Sequence, residues 1–255
     1  MKRKKMIIKA NEVNSIFSIS KRRLKNFKPD KKLSFALAKK DKIDFVYNTA
    51  SLEGNPMTYP EVETLLEGIT IGGHKLSDEQ QILNQNKSVD LLLEMIEKDR
   101  FELSKEIFLE LHNVVAKEEA LEWGVFRNTM VNIGGTDYKP PKAEKLEQIF
   151  KEGLKEIEQI ENPIAKGISF FLFGAKNQFF FDGNKRTSRL MMNGVMLKAG
   201  YPILNMKAKD KLEINKQMLD FYNKGDLSKA LTHFIKYYQE ENKHLAQSNK
   251  KGMAR

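Results

Sequence analysis

The sequence predicts an all-α fold, on three observations. Apolar residues recur at helical spacing in almost every segment, glycine and proline fall between those segments, and strand-like alternation is confined to residues 124–141. A chain of 255 residues with 40% hydrophobic content can bury a sizeable core, as one large domain or a domain with an accessory lobe.

The elements follow in order. Lys32 to Thr49 carries Leu33, Phe35, Ala36 and Leu37, then Ile43, Phe45 and Val46, which predicts one helix leading into Glu53. Pro60 to Glu67 reads as a short helix with proline in its first turn, and Gly68, Gly72 and Gly73 mark the loop after it. Val89, Leu92, Leu93 and Ile96 form one apolar face; Leu146, Ile149, Phe150, Leu154 and Ile157 form another. Ile168, Phe171, Leu172 and Ala175, spaced i, i+3, i+4, i+7, predict a central helix that runs up to Phe179-Phe180-Phe181. Those aromatics, beside a helix junction, are expected in the core. A helix beginning near Asn184 continues through Leu190, Met191, Gly194, Val195 and Leu197, and Gly200 with Pro202 ends it. Leu212 to Tyr238 reads as two helices broken at Lys224-Gly225-Asp226. The exception is Gly124 to Pro141, where Val131 and Ile133 alternate around Asn132, Gly134-Gly135 turns, and Pro140-Pro141 stops the return: a hairpin.

The chemistry is concentrated between Asn177 and Arg189, NQFFFDGNKRTSR. Gly183 permits a tight turn on which backbone N–H groups converge, and the helix that follows turns its positive end toward an anion. Arg186 and Arg189, three apart, share a helix face and can reach two phosphates of one polyphosphate. Asp182, just before the turn, suits a hard cation such as Mg²⁺ held against phosphate oxygens. Glu53, at a helix end before Gly54-Asn55, opposes the helix dipole there, which points to a specific partner. His112 is read as structural.

Composition excludes several classes. With no cysteine there are no disulfides and no thiolate chemistry, and four scattered histidines lack metal-ligand spacing. No apolar run follows the basic start in the manner of a signal peptide, and none reaches membrane-span length, so the protein is expected in the cytoplasm with no membrane partner. The net charge of +10 gathers in Met1–Lys5, in Lys21–Lys32 and in the Lys250–Arg255 tail. Without a recognisable nucleic-acid module, this is read as a solvated lysine-rich surface, and nucleic acid is not the expected partner.

The 177–189 run resembles the signature of Fic-domain proteins, His-Pro-Phe-any-Asp/Glu-Gly-Asn-Gly-Arg-any-any-Arg, most studied members of which transfer AMP from ATP to a target hydroxyl. The matches are Phe180, Asp182, Gly183, Asn184, Arg186 and Arg189. Gln178 stands at the family's histidine, Phe179 at its proline and Lys185 at its second glycine. Two further segments are similar to family features. Thr49 to Asn55 resembles the inhibitory motif of autoinhibited members, which implies that Glu53 pairs with Arg189 in place of the nucleotide's γ-phosphate. Gly124 to Pro141 resembles the flap that holds an extended piece of target protein by strand addition, here through Val131, Asn132, Ile133 and Gly134.

The resemblance implies a Fic-type helical bundle with a β-hairpin flap and an N-terminal helical lobe. Residues 1–100 would form an N-terminal helical region with the inhibitory motif, 101–240 the Fic domain and 241–255 a basic tail. Gly183, Asn184, Lys185, Arg186 and Arg189 would bind ATP, Asp182 would hold Mg²⁺, and a target protein would dock on the flap; a homodimer is compatible. Gln178 occupies the catalytic position without a base: an amide orients a hydroxyl but takes no proton, a loss of roughly 10²- to 10⁴-fold. Three readings therefore stay open: a slow, autoinhibited adenylyltransferase; a nucleotide-binding pseudoenzyme acting as a regulator; and, because Lys185 is similar to the Doc branch's Asn-Lys-Arg, a Doc-like phosphotransferase.

Overall fold

The computed structural model describes residues 8–24 and 27–245. The basic runs Met1–Lys5 and Lys250–Arg255, residues 25 and 26 of the Lys21–Lys32 run, and the tail beyond residue 245 lie outside the described residues.

The described residues form α1 (Ala10–Leu24), α2 (Lys31–Lys40), α3 (Lys42–Leu52), α4 (Tyr59–Leu66), α5 (Leu76–Glu97), α6 (Lys105–Val115), α7 (Leu146–Glu158), α8 (Pro163–Asn177), α9 (Asn184–Lys198), α10 (Lys211–Lys224) and α11 (Leu227–Glu241). Local chemistry sets many of the ends. Asn162 caps α8 by accepting from Ile164 and Ala165 N–H, with Pro163 in the first turn. Glu61 accepts from Thr58 N–H at 2.7 Å in a capping box at α4. Gly225, at φ +71, closes α10 where the sequence places its break.

The expected single helix from Lys32 to Thr49 is two, broken at Asp41. Lys39 and Lys40 end α2 and Asp44 lies in the first turn of α3, so the charges suit two helix ends rather than one continuous interior.

The hairpin is also different from expectation. Gly134-Gly135 turns as read, but no strand is formed among the described residues, and the flap's arms carry no ladder. A lone two-stranded ribbon has little apolar surface to bury. Its arms are tied down by side chains instead: Arg127 donates to Thr129 O and Pro141 O, and Thr136 Oγ1 donates to Asn223 Oδ1 on α10.

The α8–α9 pair is the centre of the molecule, and α8 is buried along almost its whole length. Small residues allow the close approach: a Cβ on Gly174 would collide with Ser188 Oγ, and one on Gly167 would stand 2.7 Å from the Met192 carbonyl oxygen. α5 and α6 pack on α9, while α1 and α11 pack on α8. Phe179 and Phe180 enter an aromatic cluster with Phe108, Phe126 and Phe150. Each fully buried ring stabilises the fold by about 1.5–3 kcal/mol, and together they pin the loop between α8 and α9.

Candidate functional site

That loop is the floor of a cavity of about 410 Å³. The start of α9 forms one wall, Asn132, Ile133 and Gly134 of the flap a second, and Asn215, Met218, Leu219 and Tyr222 of α10 a third. Glu53, at the end of α3, closes it from the far side. Of the site residues expected from sequence, Gln178, Asp182, Gly183, Asn184, Lys185 and Arg186 line the cavity, whereas Val131 and Arg189 do not.

Arg189 nevertheless acts on it through Glu53. Its NH1 stands 2.8 Å from Glu53 Oε1, and Lys185 Nζ stands 2.7 Å from Glu53 Oε2. The carboxylate is satisfied by two cations from one helix. Burial would raise its pKa; Arg189 and then Lys185 outweigh burial and hold it at about 2. Arg186 does not join this pair. It is buried against Glu119, with NH1 2.7 Å from Oε2.

The signature loop is braced from within. Asn184 Oδ1 accepts from Phe180 N–H at 2.9 Å, and its Nδ2 donates to Phe180 O at 2.8 Å and to Gln178 Oε1 at 3.1 Å. Gln178 is the left-handed cap of α8, at φ +51, and its Nε2 donates to Ala175 O at 2.6 Å. A non-glycine residue at this φ is uncommon, and the side-chain bond to the end of the helix helps to hold it there. Gly183, at φ +71, supplies the turn into α9. Its N–H is donated to Asp182 Oδ1.

Asp182 is 65% exposed at the side chain. Among the described residues no cluster of three His, Asp or Glu side chains is arranged to hold a metal. One exposed carboxylate beside this cavity fits Mg²⁺ all the same, because that ion takes one or two carboxylates and completes its shell with phosphate oxygens and water.

Sequence reasoning read His112 as structural and left Arg127, Lys176 and Glu119 unassigned. His112 Nδ1 accepts from Gly124 N–H at 3.0 Å, so its Nε2 carries the proton and donates to Asp182 O at 3.0 Å. The ring stacks on Phe180 with centroids 3.5 Å apart, and burial pushes its pKa down to about 4. With both nitrogens committed, it is a brace and not a base. Arg127 donates Nε to Gln178 O at 2.6 Å and its backbone N–H to Phe179 O at 2.9 Å, which joins the flap to the signature loop. Lys176 donates to Phe221 O at 2.8 Å and lies under the Tyr138 ring, and Tyr138 stacks on Tyr222. Burial lowers this ammonium to about 8. Nothing in the one-dimensional pattern separates these cations from surface ones; their partners come from distant segments.

A sequence profile described as the Fic/DOC family matches residues 102–196. Protein adenylyltransferase fic-1 of Caenorhabditis briggsae is 25% identical over 202 residues, covering 76% of this chain and 39% of the relative. Protein adenylyltransferase Fic of Culex quinquefasciatus is 28% identical over 192 residues, covering 72% and 38%. The chain thus spans about two fifths of the length of these curated relatives. The solved structure of Fic-1 from C. elegans superposes with a TM-score of 0.72 at 20% identity, covering 96% of this chain and 74% of that one, which shows a shared fold. Among the described residues no helix is long and apolar enough to cross a membrane. Residues 102–196, which hold the signature loop, thus match the Fic/DOC family profile, in a chain whose fold is shared with Fic-1.

Proposed function

We propose that the protein binds ATP in this cavity and transfers AMP to a hydroxyl of a target protein, with Glu53 as an internal brake. The observation that carries the reading is the Glu53 carboxylate in the cavity wall, neutralising Lys185 and Arg189. Two cations at the start of a helix, matched by a side chain carboxylate, describe an anion site filled by the protein's own anion. A polyphosphate would replace Glu53 there, on the backbone of Gly183 and Asn184 and on Lys185, Arg186 and Arg189.

In the reaction the target hydroxyl oxygen bonds to the α-phosphorus, the bond from that phosphorus to the β-phosphate oxygen breaks, and pyrophosphate leaves. Asp182 would hold Mg²⁺, which would supply charge neutralisation on the phosphate oxygens. The flap at Val131 to Gly134 presents the target segment. Gln178 cannot accept the hydroxyl proton, which passes to water, so transfer is slow. On this reading residues 101–240 are the transferase unit and the helices before them carry the brake.

A second reading, a nucleotide-binding regulator without transfer, draws on one observation. Both polar atoms of the Gln178 amide are engaged inside the loop, with Ala175 and Asn184. The test incubates wild type and Glu53→Gly with ATP and Mg²⁺, follows intact mass, and measures ATP binding by calorimetry. Transfer predicts a gain of about 329 Da, the AMP adduct, in Glu53→Gly. ATP binding with no adduct on the protein or a supplied target selects the regulator, and no binding by Glu53→Gly rejects both.

A further inference from the structure

Glu119, which belongs to none of the motifs read from the sequence, meets Arg186 of the signature helix. Glu119 lies in the turn after α6, directly behind Glu118, a non-glycine residue at φ +63. That strained turn carries Glu119 inward. Its side chain keeps 10% exposure, and Oε2 stands 2.7 Å from NH1 of Arg186, which keeps 2%. The guanidinium also donates to Val115 O at 3.3 Å, and its NH2 lies 3.7 Å from Asp182 Oδ1. Arg186 is therefore held between a carboxylate behind it and the cavity it lines.

Glu119 has supports of its own. Asn84 Nδ2 donates to Oε1 at 2.9 Å and Gln81 Nε2 to Oε2 at 3.4 Å. Asn84 is fixed in turn by Lys117 O and by Gln80 Nε2, and Gln81 Oε1 accepts from Asn55 Nδ2 at 3.1 Å. Asn55 belongs to the Glu53-Gly54-Asn55 turn, so the support for Arg186 is continuous with the turn that presents the brake. An ion pair this enclosed needs such extra hydrogen bonds to offset its desolvation.

We propose that Glu119 is a positioning residue of the anion site: it aims the Arg186 guanidinium at the cavity and, by its charge, limits how strongly that guanidinium attracts a polyphosphate. This rests on the reading of the cavity as an ATP site. Two effects of opposite sign follow. The acceptor atom fixes where Arg186 points, while the negative charge subtracts from its pull on phosphate. Glu119→Gln keeps an acceptor and removes the charge; Glu119→Ala removes both.

The test titrates ATP with Mg²⁺ into Glu53→Gly protein and into its Glu119→Gln and Glu119→Ala derivatives, at about 0.05 M and about 0.3 M salt, with thermal melts alongside. Glu119→Gln is expected to tighten ATP roughly five-fold at low salt and less at high salt, and Glu119→Ala to weaken it roughly ten-fold. Should Glu119→Ala not fold, Glu119→Asp, with charge kept and reach shortened, is expected to weaken ATP in its place. Parallel weakening by both substitutions, or unchanged affinity in both, overturns the proposal. A Glu53→Gly parent that binds no ATP instead overturns the reading of the cavity, and this proposal with it.

Discussion

Glu53 Oε2 and Lys185 Nζ lie 2.7 Å apart, while the other oxygen of the same carboxylate faces Arg189 at 2.8 Å. Lys185 is the residue that interrupts the glycine pattern of the signature, and on the proposed reading it is the second anchor of the brake. The same ammonium would serve a phosphate once Glu53 leaves. Lys185→Gln should therefore weaken ATP binding more in the Glu53→Gly background than in wild type, because in wild type the loss of a phosphate contact is partly offset by a looser brake. A difference of roughly three-fold or more between the two backgrounds, read from a calorimetric double-mutant cycle, is expected. Equal effects would mean that Lys185 holds only one of the two anions.

Gln178→His restores a base at the end of α8. In the Glu53→Gly background the rate of AMP transfer should rise by roughly 10²- to 10⁴-fold, with a small stability loss as the bonds to Ala175 and Asn184 go. Histidine is among the side chains that tolerate the left-handed conformation. A single-turnover assay measures the gain, and no gain in a folded, ATP-binding variant would assign the slow step elsewhere.

Arg127 holds both arms of the flap and the signature loop through the carbonyls of Thr129, Pro141 and Gln178. Arg127→Met keeps the stem and removes the fork. A loss of about 3 kcal/mol is expected in denaturant unfolding, together with faster proteolysis between residues 128 and 139. Unchanged protection would show that Tyr138 on Tyr222 and Thr136 on Asn223 suffice to hold the flap.

His112 titrates at about 4 in the folded protein, below its ordinary 6.5. Its contribution is complete above the unfolded value and is lost as pH falls from there toward 4, because the unfolded chain takes up a proton that the buried ring refuses. Between about pH 7.5 and about pH 5 this amounts to about 2 kcal/mol. Urea unfolding of wild type against His112→Gln should show that slope in wild type alone.

Much of the site was legible because it is local. The turn needs Gly183 at positive φ, Lys185, Arg186 and Arg189 follow within the first two turns of α9, and the hydrophobic periods of α8 and α9 place that turn between two helices. The Glu53–Arg189 pair came from the resemblance of Thr49 to Asn55, and its distance bears out the pairing. The break at Asp41 escaped the reading because the apolar residues on either side of it keep one helical period. The flap's arms alternate like strands yet form no ladder; Arg127, from within the segment, and Asn223 of α10 hold them instead.

By itself, then, the sequence determined the helical fold and the placement of the Gly183 turn between α8 and α9, which depend on residues a few positions apart. The tertiary structure alone decided that Glu119 neutralises Arg186. Arg186 and Arg189 look equivalent three residues apart, but one is buried against Glu119 and the other against Glu53. That division depends on where the turn after α6 and the end of α3 arrive in space, and a buried cation takes the anion that packing brings to it.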